Sequence, residues 1–122
     1  MATWYHGTSS SMGLDIGDYL DPRRADCDGH CHAVEHLATA CEYARATTVV
    51  AGGSPIILVL ALDAAEVVEV ADYHADLPRS HYGDLDIPAG VTYRCTEGEH
   101  GEGGHVVTRD RRALRVVDII QS

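Results

Sequence analysis

The chain of 122 residues contains no lysine, no asparagine, no phenylalanine and only one tryptophan. All nine of its basic side chains are therefore arginine, set against nineteen acidic ones for a formal charge of −10. That balance excludes a general nucleic-acid or anionic-membrane surface, because phosphate recognition needs a basic footprint. Five of the arginines lie within residues 94–115, which leaves room for one local basic patch. The joint absence of lysine, asparagine and phenylalanine matches the codon bias of a GC-rich genome better than selection at a site. No apolar run approaches the ~20 residues that cross a bilayer. The first residues carry no basic stretch ahead of an apolar one, so neither a signal peptide nor a location outside the cytoplasm is expected. The four cysteines, Cys27, Cys31, Cys41 and Cys95, form no C-x-x-C pair. That argues against a disulfide framework and predicts reduced thiols.

What is present reads as short strands and turns around one helix. An apolar fraction of 45% at this length predicts one domain spanning 1–122 with a single core. Thr3-Trp4-Tyr5 predicts a strand ending at His6. Residues 7–33, rich in Gly, Ser and Asp, predict a long irregular loop, a feature that is usually functional in a small domain. Residues 34–38 fit a short strand. Thr39-Ala40-Cys41-Glu42 has capping-box spacing, so a helix over about 40–50 is expected, stopped by Gly52-Gly53. The unbroken apolar run 55–62 predicts a buried strand and 66–70 a second one. Pro78, Gly83, Pro88 and Gly90 mark 72–90 as loop. Residues 91–95 predict a strand and 96–104 a Gly/Glu-rich turn. Residues 105–109 are expected to pair with 114–120 across a connection at 110–113. Six or so short strands with one or two helices make the fold class α+β.

Against this background Tyr5-His6-Gly7-Thr8 stands out. The block WYHGTSSSMGLDIGDYLDP resembles the opening of the ADP-ribosyltransferase superfamily: a strand, its His-Gly-Thr, and an x-L-x-x-G-D-x-L-x-P loop. The small rifampin ADP-ribosyltransferases look nearest. EHLATACEYA resembles that family's second signature, a strand leading into an alanine-rich helix. GGHVVTRDRRALRVVDII resembles its closing strand, turn and strand. The resemblance implies an ADP-ribosyltransferase-like fold of split β-sheets with one or two helices. It also implies an NAD-dependent reaction, in which the nicotinamide–ribose bond is cleaved and ADP-ribose passes to an acceptor, a small molecule being favoured over protein or nucleic acid.

By that resemblance His6 hydrogen-bonds the ribose next to nicotinamide, the Gly7 backbone reads the carboxamide with Thr8 beside it, and Tyr43 stacks on the nicotinamide ring. The chemistry is reasonable: a glycine lets a ligand approach the main chain. A carboxylate near the anomeric carbon offsets the positive charge that grows there as the leaving group departs. The family's second-motif position, usually Tyr, is expected at His36. Its third, often Glu, is expected at His105. The missing acid is then sought at Asp72, after strand 66–70, or at Glu102, on the turn before His105. Two other functions follow from the same residues. His105 in place of Glu suits a catalytically degenerate NAD- or nucleotide-binding module or inhibitor. His36 suits an RNA 2'-phosphotransferase, although that chemistry uses several arginines and few precede Arg94.

Two further chemistries carry less. Cys27, His30, Cys31, His32 and His36 fall within ten residues and are zinc-ligand types, but their spacing matches no common finger and has no second half-site. No metal is assigned. Ser9, Ser10 and Ser11 lie beside His6, yet no G-x-S-x-G elbow is present and Cys95 has no assignable base, so nucleophilic catalysis is not expected.

Overall fold

One α-helix packs on a seven-stranded mixed sheet in the computed structural model of the chain, which describes residues 3–24, 27, 29–101 and 103–122. The strands are β1 (Trp4–Ser9), β2 (Cys31–Val34), β3 (Pro55–Leu62), β4 (Val67–Asp72), β5 (Thr92–Glu97), β6 (His105–Thr108) and β7 (Leu114–Gln121). The helix α1 spans Leu37–Ala51, and a 3-10 turn covers Ser10–Met12. The sheet order is β4-β5-β6-β2-β1-β3-β7, antiparallel throughout except for the parallel pair β4–β5. The class is α+β. Among the described residues, no helix is long and apolar enough to cross a membrane.

The apolar run of β3 is continuous because both of its faces are covered. Ile56, Leu58 and Leu60 join Trp4, Ala33, Val106, Leu114 and Val116 in the main core on one face. Ile57 points to the other face and packs with Val34 and Ala40 under α1. A third cluster of Tyr73, Leu77, Ile87, Cys95 and Val107 is formed where the 73–91 crossover folds back on β5 and β6.

Two close approaches position the site. The first is between β1 and α1. A Cβ on Gly7 would lie 1.8 Å from the Ala40 carbonyl oxygen and 2.6 Å from the Ala44 nitrogen. Only glycine lets the helix backbone, with its small buried Ala40 and Ala44, rest directly on β1. The second is at the helix end, where Gly52 and Gly53 both adopt positive φ. Ser9 Oγ donates to the Gly52 carbonyl, Ser11 Oγ donates to the Ala51 carbonyl at 3.2 Å, and Ser54 N–H donates to Ser10 Oγ at 2.9 Å. The serine triplet thus satisfies carbonyls and an amide at the end of α1.

Between β1 and β2 the sheet is joined by a single register pair, Tyr5↔Val34, whereas β1 pairs with β3 over six positions and β2 with β6 over four. The seven strands form one hydrogen-bonded order rather than the two split sheets expected, with β1–β2 as its shortest seam.

Several local expectations are corrected. The strand expected at 34–38 lies at Cys31–Val34. The helix starts at Leu37 with His36 as N-cap, so Thr39 is inside it and does not open a capping box; its hydroxyl meets His36 Nδ1 at 3.1 Å. Residues 105–109 and 114–120 do not pair with each other. Val106 and Val107 are both fully buried, and β6 has neighbours on both edges, β5 and β2, while β7 crosses over to β3. The long loop predicted after His6 is shortened at both ends by β1 and β2.

Candidate functional site

The seam opens into a cleft of about 280 Å³ lined by Tyr5, His6, Gly7, Cys27, His32, Ala33, Val34, Tyr43, Thr47 and Glu99. Its floor is the β1–β2 junction. Tyr43 and Thr47, one helical turn apart on α1, form one wall, and Glu99, just past β5, approaches from the other half of the sheet.

His6 bridges the seam: its Nδ1–H donates to the His32 carbonyl at 2.7 Å. His32 lies on β2 and contacts His105 on β6 through Nδ1 and Nε2, 2.9 Å apart. The Glu99 amide N–H donates to His105 Nδ1 at 3.4 Å. That nitrogen is an acceptor, so the neutral His105 ring carries its proton on Nε2 and gives it to His32 Nδ1. His32 in turn keeps its proton on Nε2, the polar atom of the ring left for the cleft. Burial first, then the neighbouring His6 and His30, lowers His32 to about 4. Burial, then His32 and His100, lowers His105 to about 3. Both rings are therefore neutral donors and acceptors at physiological pH.

Tyr43 holds the acid. Its hydroxyl donates to Glu99 Oε2 at 3.2 Å and shares a 2.8 Å hydrogen bond with His100 Nε2. Burial, followed by the Glu99 charge, pushes the phenol above its usual range, so it remains a donor. His74 Nε2–H donates to the Glu99 carbonyl at 2.7 Å and so anchors the same turn. Tyr73 packs against His105 with ring centroids 4.7 Å apart and carries the Arg79 guanidinium over its face at 5.5 Å.

Comparison with protein families, curated proteins and solved structures finds no match to this chain. Its chemistry has to be read from the cleft. Of the residues expected from the sequence, His6, Gly7 and Tyr43 line the cleft together. Thr8 does not; it is fully buried on the main-core face of β1. His36 is exposed at the helix N-cap beside a separate shallow recess next to Glu99 and His100. His105 stands behind His32 and outside the cleft lining. Asp72 is exposed at the end of β4, where its carboxylate accepts the His74 amide at 2.8 Å as a turn cap. Glu102 lies outside the described residues. The zinc-type residues do not converge on one centre: Cys27 meets Cys31, His30 Nε2 accepts the Ile87 amide at 3.2 Å, His32 meets His105 and His36 meets Thr39. Among the described residues no group of three or more His, Cys, Asp or Glu could hold a metal ion.

Reading the sequence missed Glu99 and weighed His32 only as a zinc-ligand type. His32 could have been found from strand alternation, since Cys31 and Ala33 turn to the main core and so leave His32 on the helix side with Val34. Glu99 is the acid in a Gly-Glu-His-Gly turn, three positions from the Glu102 that was weighed for the same task.

Proposed function

We propose that the cleft binds the nicotinamide–ribose end of NAD and that the protein is an NAD-dependent ADP-ribosyltransferase. The observation that carries this reading is the joint lining of one cleft by His6, Gly7, Tyr43 and a carboxylate, Glu99. The volume of about 280 Å³ falls just below the range of small-ligand pockets, roughly 300–1,000 Å³, and suits a nucleoside half rather than a whole dinucleotide. In this reading His6 fixes the seam beside the sugar, His32 presents a neutral imidazole to it, and the Tyr43 ring packs on the nicotinamide. Glu99, rather than Asp72, is the acid. As the carbon–nitrogen bond breaks, nicotinamide leaves with the bonding pair and positive charge gathers on the anomeric carbon. The Glu99 carboxylate offsets that charge, and the acceptor adds to the carbon as it loses its proton. The small cleft favours a small-molecule acceptor.

Titration calorimetry with NAD and a nicotinamide-release assay test this. The expected results are NAD binding that weakens in His6→Ala, and release that falls about 100-fold in Glu99→Gln, the scale on which preorganised charge stabilisation is lost. Absence of binding at millimolar NAD, or an unaffected His6→Ala, overturns the assignment. Binding with no nicotinamide release reduces the protein to a nucleotide-binding module, the reading that His105 in place of the family's Glu supports.

A further inference from the structure

Four cysteines are present as thiols, and two of them are in contact. Cys31 Sγ donates to Cys27 Sγ at 3.1 Å, well inside the ordinary separation of two non-bonded sulfurs. The backbone brings them there. The Cys27 carbonyl accepts the His30 amide at 3.2 Å, closing a turn that delivers Cys31 to the start of β2, and Gly29 N–H donates to the Pro22 carbonyl at 2.8 Å to hold the loop. Cys31 is fully buried in the main core, whereas Cys27, 4% exposed, also lines the cleft. Both belong to the main core, and the pair therefore has one residue in the cleft wall and a second directly behind it.

We propose that Cys27 and Cys31 form a hydroperoxide-reactive dithiol in the cleft wall, which closes to an intramolecular disulfide. The Cys27 sulfur attacks one peroxide oxygen; the S–O bond forms, the O–O bond breaks, and the leaving hydroxide takes up the thiol proton as water. The Cys31 sulfur then displaces the hydroxyl from the sulfenic acid, forming the S–S bond and releasing a second water. Two thiols are oxidised and one peroxide is reduced to two waters. Moving from 3.1 Å to a bonded separation of about 2.05 Å takes only a small side-chain shift. A peroxide reaches Cys27 through the cleft, while a bulky disulfide such as oxidised glutathione is kept out by burial. The remaining thiols offer no such pair. Cys41 packs in the helix cluster, and Cys95 lies in the third cluster with its thiol pushed up to about 11 by burial. The bond would tie a cleft wall to the residue preceding His32, and it does not depend on what the cleft binds.

The test is brief exposure of the folded chain to one equivalent of hydrogen peroxide, followed by alkylation and peptide mapping. The expected product has lost two hydrogen atoms, carries a Cys27–Cys31 link, and is alkylated at Cys41 and Cys95. Reduction restores all four thiols. Cys31→Ser should leave a sulfenic acid at Cys27 that dimedone traps. Wild-type chain that stays alkylatable at both Cys27 and Cys31, or that is oxidised there without linking the two, overturns the proposal whether or not the variant folds.

Discussion

His32 Nδ1 and His105 Nε2 lie 2.9 Å apart, two imidazoles from different strands joined by one proton. Protonating either ring would put a charge in a packed site facing His6, His30 and His100, which is why both values are depressed. Below the ordinary imidazole value of 6.5 the unfolded chain takes up protons at these positions and the folded chain does not. Stability is therefore complete above about 6.5 and is lost as pH falls toward about 4 for His32 and about 3 for His105. At His32 the depression is on the order of 3 kcal/mol. Acid unfolding followed by fluorescence of the buried Trp4 should show this loss. His105→Gln keeps an acceptor for the Glu99 amide and a donor for His32 but cannot titrate, so its midpoint should move to lower pH. An unchanged midpoint would mean that other groups govern the acid limb.

Gly7→Ala should destabilise the fold by at least about 3 kcal/mol, read as a lower urea midpoint. The obstacles to the new methyl are the Ala40 carbonyl and the Ala44 nitrogen, both helix backbone, so no side chain can rotate away. A midpoint near that of the wild type would mean that α1 can lift from β1 at little cost.

This glycine also shows what the sequence could convey. His-Gly-Thr drew attention as a ligand motif, yet the contact demanding glycine is with a helix more than thirty residues on. The strand at Pro55–Leu62 and the existence of α1 were legible because apolar continuity, alanine content and Gly52-Gly53 are local signals. The pairing of β6 with β2 and β5 was not, because a hairpin between β6 and β7 satisfies the same local pattern. Only burial of both Val106 and Val107 separates the two solutions, and burial is a property of the whole fold. His6 and Tyr43 could be proposed from the resemblance and the face of His32 from strand alternation, whereas the approach of Glu99, on the turn after β5, is set only by how the whole sheet is ordered.

Thr92 and Thr108 should respond unequally to substitution. Their buried hydroxyls meet at 2.6 Å, and Thr108 Oγ1 also donates to the Val91 carbonyl at 3.3 Å and accepts the Asp110 amide at 2.9 Å. Thr92→Val removes one bond and leaves the Thr108 oxygen otherwise served, costing about 1 kcal/mol. Thr108→Val strips partners from three groups and should cost about 2–3 kcal/mol. Equal losses in thermal unfolding would mean that the extra Thr108 bonds contribute nothing.

Tyr43→Phe separates the two tasks given to this side chain. The ring that would pack on nicotinamide stays, while the hydroxyl that holds Glu99 Oε2 and His100 Nε2 is lost. NAD affinity should fall modestly, about threefold, and nicotinamide release about tenfold or more, because the acid is no longer held in place. Tyr43→Ala should weaken binding further by removing the ring. Burial and the Glu99 charge keep the Tyr43 phenol protonated beyond its ordinary value of 10.0, so the wild-type release rate should show no alkaline loss from this group at or below that pH. An alkaline limb present in the wild type and absent in Tyr43→Phe would show instead that the phenol ionises within the working range, and that Glu99 does not hold it as a donor.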